Sequence, residues 1–215
     1  MTKRLTLIGL TGVVLQFAWV ALIYLGPLRE HTSAFLVLIF LAFGLCLWSF
    51  FLLPIPDNRA ALLVVGFGLV FRLTVLFAPP YQSEDVYRYI WDARVFSRGM
   101  NPFQFAPEAP ELESIRDARI YPMINSKPYV TAYPPLTQIL FRLGLSAFGE
   151  SITGMKVLFS SLEFVSLLII WKLLMLMGQS LSPLYLMAWN PFFIFEFSHS
   201  GHSDSAMMFF TLLAA

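Results

Sequence analysis

Apolar and polar positions along this chain fall into long blocks rather than into a short repeating period. Leu5 to Leu25 is a continuous apolar run behind Lys3 and Arg4, and about 20 such residues cross a bilayer. The run is too long for a signal-peptide core and lacks a small-residue cleavage site, so it reads as an uncleaved anchor. Spans over 33–53 and 60–78 follow through short polar turns, the third carrying Arg72 in its far half. Residues 79–151 form one large polar loop. Within it, Ser83 predicts a helix start, and Gly99 with Asn101-Pro102 its end. Proline-rich irregular chain runs on to residue 134, with a short charged helix over 111–119. The apolar stretch 135–148, at about 14 residues, is too short for a span and predicts a re-entrant or interfacial helix. Spans over 152–177 and 183–197 come next, then a polar knot at 198–204. The last apolar run, 205–215, is about 11 residues and predicts a truncated span.

The predicted fold class is all-α, a polytopic transmembrane helical bundle with a large extracytoplasmic first loop. It reads as a single transmembrane domain over 1–215, incomplete at its C-terminus. The missing spans are expected from a longer protein or from a second chain. Lys3 and Arg4 put the N-terminus in the cytoplasm, and three crossings then place the large loop outside. If 135–148 only dips into the bilayer, the knot at 198–204 lies outside as well. Lys172 then reaches the cytoplasmic face.

Composition agrees with the pattern. Hydrophobic residues make up 58% of the 215, with 22 phenylalanines and only 13% charged, and the mean hydropathy is +0.71. No water-soluble globule hides that much apolar surface. A net charge of +1 excludes a nucleic-acid partner, which needs a concentrated basic face. The single cysteine, Cys46, excludes an internal disulfide framework.

Position matters more than number for the charges. Thirteen of the 27 lie between Glu84 and Lys127, so function belongs at the outer loop. On a helix, Asp85, Arg88, Tyr89 and Asp92 share one face. A carboxylate there serves as general base for a hydroxyl, and a guanidinium holds phosphate oxygens. The same residues also suit a helix N-terminus and an interfacial aromatic belt. A second constellation is Ser198-His199-Ser200-Gly201-His202-Ser203-Asp204 behind Trp189-Asn190-Pro191 and Glu196. Its histidines and aspartate suit metal ligation, hydrogen bonding to an anion, or a simple helix cap. The third is Thr131-Ala132-Tyr133-Pro134-Pro135-Leu136, an extended lead-in whose tyrosine suits stacking on a sugar or anchoring at the interface. Glu163 offers a partner for Arg72.

Taken together these residues resemble a known set. Ser83-Glu84-Asp85-Val86-Tyr87-Arg88-Tyr89 resembles the carboxylate motif of GT-C glycosyltransferases. Trp91-Asp92-Ala93-Arg94 and Gly99-Met100-Asn101-Pro102-Phe103 resemble their bacterial polyprenyl-phosphate-mannose-dependent mannosyltransferase branch. Tyr133-Pro134-Pro135-Leu136 and the segment Trp189-Asn190-Pro191 to Gly201-His202-Ser203-Asp204 are similar to its later elements. The resemblance covers roughly residues 70 to 215.

It implies an inverting transfer of a hexosyl, specifically mannosyl, group from a polyprenyl-phosphate donor to an acceptor hydroxyl at the outer membrane face. The setting implied is a bacterial cytoplasmic membrane. Asp85 matches the base position and Glu84 its helper. Arg88, Arg94 and Lys127 are expected at the leaving phosphate, with His202 as a donor beside it. Tyr89, Asp92, Tyr133, His199 and Asp204 complete the expected substrate shell. The partners are a lipid-linked sugar, a glycolipid, glycan or protein acceptor, and membrane lipid. No cofactor and no divalent metal are expected. The alternative is a non-catalytic membrane subunit or transporter fragment that binds a lipid-linked sugar.

Overall fold

Three apolar helices begin the chain: α1 (Thr2–Leu25), α2 (Thr32–Leu52) and α3 (Asn58–Leu76). The polar loop supplies α4 (Asp85–Ser97) and two short 3-10 turns, then α5 (Pro135–Phe148) leads into the long α6 (Ile152–Leu176). A computed structural model provides these positions and describes residues 2–27 and 30–214, so Ala215, the end of the last predicted span, lies outside the described residues. No strand occurs among the described residues. Helices α1, α2, α3 and α6 are long and apolar enough to cross a membrane. Their ends follow the local sequence. Asp57 accepts the Ala60 N–H at 2.9 Å to start α3, and Ser151 accepts the Gly154 N–H at 3.0 Å to start α6. Lipid takes the outer faces, where Val37, Phe40 and Phe51 stay exposed on α2.

The predicted span over 183–197 is not one continuous α-helix. It is a 3-10 turn (Ser182–Leu184), α7 (Tyr185–Ala188), the single turn α8 (Pro191–Phe193) and a π-helical turn (Ile194–His199). Pro191 has no N–H to continue the ladder, so the break leaves the carbonyls of Met187 and Ala188 without helix partners. Arg72 takes both, at 3.0 and 2.9 Å. Its remaining donors go to the Gly68 carbonyl at 2.8 Å and, in a fork, to Glu163 at 2.5 and 2.6 Å. All five guanidinium donors are therefore satisfied in an apolar setting, as irregular backbone at membrane depth requires. Gly68 makes this approach possible, because a Cβ there would lie 2.7 Å from the Ala188 oxygen.

The last helix, α9 (Asp204–Ala214), packs along α6. Two apolar cores result. One joins α1, α2, α3 and the broken segment around Trp19, Phe71 and Trp189. The other lies under the polar loop, where Tyr89 stacks on Phe141 with ring centroids 4.4 Å apart and meets Phe159 edge-on. This second core fixes α4 against α5 and α6, and so fixes Asp85.

Candidate active site

Asp85 is the first residue of α4, and its own N–H donates to Ser83 Oγ at 3.2 Å. A carboxylate in this position gains from the positive end of the helix dipole. Its Oδ1 accepts a 2.7 Å hydrogen bond from Asn125 Nδ2, reaching in from the loop. Its Oδ2 faces His202 Nε2 at 3.8 Å, too long for a hydrogen bond. The other ring nitrogen, His202 Nδ1, lies 2.5 Å from Glu196 Oε2. Burial by itself would lower the pKa of His202. The Glu196 bond and charge, with Asp85 and Asp204 behind them, outweigh burial and raise it above the ordinary histidine value. In the imidazolium form each ring nitrogen carries a hydrogen, one directed to Glu196 and the other facing Asp85.

Local backbone brings Glu196 and His202 together. The π-helical turn widens the chain at Glu196, a feature that recurs at functional sites. The His202 N–H closes back on the Glu196 carbonyl at 3.0 Å. Gly201 makes the turn with φ of 75°, and a Cβ there would sit 2.8 Å from Lys156 Cγ. Buried Lys156, on α6, donates to the Ala78 carbonyl at 2.7 Å. It thus ties the end of α3 to the underside of the knot.

The other sequence-derived candidates divide clearly. Arg88 is buried and donates to Asp92 at 2.8 Å and to the Tyr129 carbonyl at 3.0 Å. Gln138 Nε2 bridges Asp92 and Thr131 at 3.1 and 2.8 Å. Burial pushes the Asp92 carboxyl up, against the pull of Arg88 and these hydrogen bonds. Arg94 grips Glu150 at 2.6 and 2.7 Å, and also binds Asp117 and the Ile115 carbonyl. Burial raises the Asp117 carboxyl, but the N–H groups of Tyr121 and Ile120 together with Arg94 outweigh it and bring it down to about 2. Lys127 donates to the carbonyls of Pro122 and Ile124. All three cations thus fasten the large polar loop. His199 is buried and stacks on Phe195 with centroids 4.3 Å apart, away from Asp85. Glu84 and Asp204 are exposed beside the site.

Tyr89 and Tyr133 form the floor next to Asp85, edge to face at 5.0 Å. Burial first, then the charge of Asp85, pushes Tyr89 to about 12, and burial with neighbouring Tyr89 and Asp85 raises Tyr133 too. Both phenols stay protonated and able to donate. From Tyr133, Ser203 and Asp204 an apolar cleft of about 810 Å³ runs between α5 and α9, past Leu140, Met207 and Phe210. Among the described residues no three His, Cys, Asp or Glu side chains converge to hold a metal ion.

Sequence reading missed Asn125, Gln138 and Lys156. Asn125 lies 40 residues from Asp85 in irregular chain, with no local signal. Lys156 did carry one, as a cation near the start of an apolar helix.

Neither a curated protein nor a solved structure matches the chain. A family model described as alpha-(1->6)-mannopyranosyltransferase, N-terminal domain, matches residues 5–215. With nearly the whole chain matched, this membrane protein belongs to the alpha-(1->6)-mannopyranosyltransferase family, as its N-terminal domain.

Proposed function

We propose that this domain carries the base of an inverting mannosyl transfer from a polyprenyl-phosphate donor to an acceptor hydroxyl. The observation that supports it most is the chain Asn125–Asp85–His202–Glu196. Asn125 fixes one carboxylate oxygen and leaves Oδ2 without a hydrogen bond, 3.8 Å from His202 Nε2. In the reaction the acceptor oxygen bonds to the sugar's C1 as the C1–O bond to phosphate breaks. Asp85 Oδ2 takes the hydroxyl proton, and the lipid phosphate leaves as an anion. A single in-line displacement of this kind needs one base.

In this reading His202 has a different task from the one its motif implied. In-line attack puts base and leaving phosphate on opposite faces of C1. His202 Nε2, 3.8 Å from Asp85, stands on the base side, where its cation, held by Glu196, orients the carboxylate. Arg88, Arg94 and Lys127 act by holding the loop. The cleft between α5 and α9 fits an isoprenoid tail, since it is apolar and opens beside Ser203 and Asp204.

An outer-face location fits this reading. The contact between Asp85 and His202 puts both loops on one side, which supports an α5 that lies in the interface. Lys3 and Arg4 then favour a cytoplasmic N-terminus and an outer site.

Donor choice tests the proposal. Membranes containing the protein should transfer mannose from β-linked polyprenyl-phosphate mannose and give an α-linked product by NMR. Transfer from GDP-mannose alone, or a β-linked product, would overturn it.

A further inference from the structure

One face of the apolar helix α6 carries three buried polar side chains, Lys156, Ser160 and Glu163, at i, i+4 and i+7. Each ends on α3 or on the broken segment. Glu163 holds Arg72, which takes the open carbonyls of Met187 and Ala188. Ser160 Oγ meets Ser198 Oγ at 2.6 Å, where the knot begins. Lys156 Nζ donates to the Ala78 carbonyl at 2.7 Å and reaches the Val75 carbonyl at 3.5 Å, at and just past the C-terminal end of α3. These side chains form a polar seam that runs along α6 toward its N-terminal end and finishes at Lys156.

Lys156 differs from the other two in touching the lead-in to both halves of the site. On one side, only six residues separate Ala78 from Asp85, and Pro79 and Pro80 stiffen the first of them. On the other, Gly201 lies directly on the lysine stem, where a Cβ would sit 2.8 Å from Lys156 Cγ. His202 is the next residue. Among the described residues no carboxylate pairs with this ammonium. A buried cation without a counter-ion costs stability rather than adding to it, so its contribution lies in where it holds its neighbours.

We propose that Lys156 is a positioning residue that sets the separation of Asp85 from His202, by fixing the end of α3 and the Gly201 turn on one side chain. The separation belongs to the fold; what it does for mannosyl transfer rests on the reading above.

The test is a double-mutant cycle on the His202 ring, read by ring-nitrogen NMR of histidine-labelled full-length protein in nanodiscs. Loss of the signal in His202→Gln assigns it. The charges that face this ring are Asp85 from α4, Glu196 from the π-helical turn and Asp204 from α9, with Lys156 of α6 beneath Gly201. In the wild-type background, Asp85→Asn removes one carboxylate and should lower the pKa of the ring. In Lys156→Met the same change should lower it less, because Asp85 has already drawn away. An equal or larger effect of Asp85→Asn in Lys156→Met overturns the proposal. The cycle subtracts the direct effect of the lost lysine charge, which by itself raises the pKa of the ring. Where methionine prevents folding, Lys156→Gln, one atom shorter and still a donor, takes its place. Failure of both variants to fold makes Lys156 a strut of the bundle and overturns its role in the site. In transfer assays Lys156→Met should lower kcat by up to about 10²-fold, as a misplacement of about 1 Å does, with KM for the donor unchanged. A rise in KM with kcat intact overturns the positioning role. The expected cycle in a protein with no transfer activity leaves that role standing and removes the transfer reading instead.

Discussion

Asp85 and His202 stand 3.8 Å apart, carboxylate oxygen to ring nitrogen, although one opens α4 and the other follows the broken segment far along the chain. Between them the chain passes through α5, α6 and the broken segment. Their meeting therefore depends on every packing contact between those elements, and it can be disturbed from several places.

The first consequence is a pH dependence. His202 has a raised pKa, through Glu196 above all once burial is overcome. Its cation is complete below the ordinary histidine range and is lost as pH rises through the higher folded value. The stability it lends follows the same course. Transfer activity should accordingly fall on the alkaline side, above the usual histidine range. Glu196→Gln should move that fall to lower pH, and a fall that stays in place would show that His202 does not govern it.

Asn125 gives a second test. Removing its hydrogen bond in Asn125→Ala frees Asp85 Oδ1 to rotate. A hydrogen bond to a charged group is worth about 1.5–3 kcal/mol, so kcat should drop roughly 10- to 100-fold. Thermal stability should change little, because Asn125 is only half-buried. Equal kcat in wild type and variant would remove Asn125 from the site.

Arg72 and Glu163 predict a contrast between single and double replacement. Arg72→Met strands a buried carboxylate and two carbonyls, and breaking such a pair costs about 3–5 kcal/mol. Replacing both residues, as Arg72→Met with Glu163→Leu, should recover much of the loss. Thermal denaturation in detergent measures both. A double variant as unstable as the single one would mean that the carbonyls of Met187 and Ala188 matter more than the ion pair.

Gly201→Ala combines two penalties: a left-handed backbone position and a Cβ 2.8 Å from Lys156 Cγ. The first alone costs about 1–2 kcal/mol. Activity should fall by more than stability, because the shift is passed directly to His202. Normal kcat in this variant would show that the knot tolerates a displaced turn.

Much of this was legible in the sequence. Long apolar blocks marked α1, α2, α3 and α6, since about 20 lipophilic residues have few other uses. Arg72 and Glu163 stood out as charges in apolar runs, and Ser83-Glu84-Asp85 as a helix start. Less legible was the state of the cations. Arg88, Arg94 and Lys127 read as phosphate ligands because sequence shows charge but not who already holds it. Carbonyls and carboxylates supplied by distant loop positions, such as Tyr129 and Glu150, decide that question. The broken segment was similarly hidden. It read as one span over 183–197, and the repair of its break by Arg72 from another helix leaves no local mark.

The central claim is that Asp85 is the base, and one measurement addresses it most directly. Membranes with matched amounts of wild type and Asp85→Asn would be given radiolabelled polyprenyl-phosphate mannose and an α-(1→6)-mannoside acceptor. The substitution keeps size and the Asn125 contact but removes the proton acceptor. The account predicts a loss of transfer of about 10²–10⁴-fold with donor binding retained. Transfer by Asp85→Asn at the wild-type rate would contradict it.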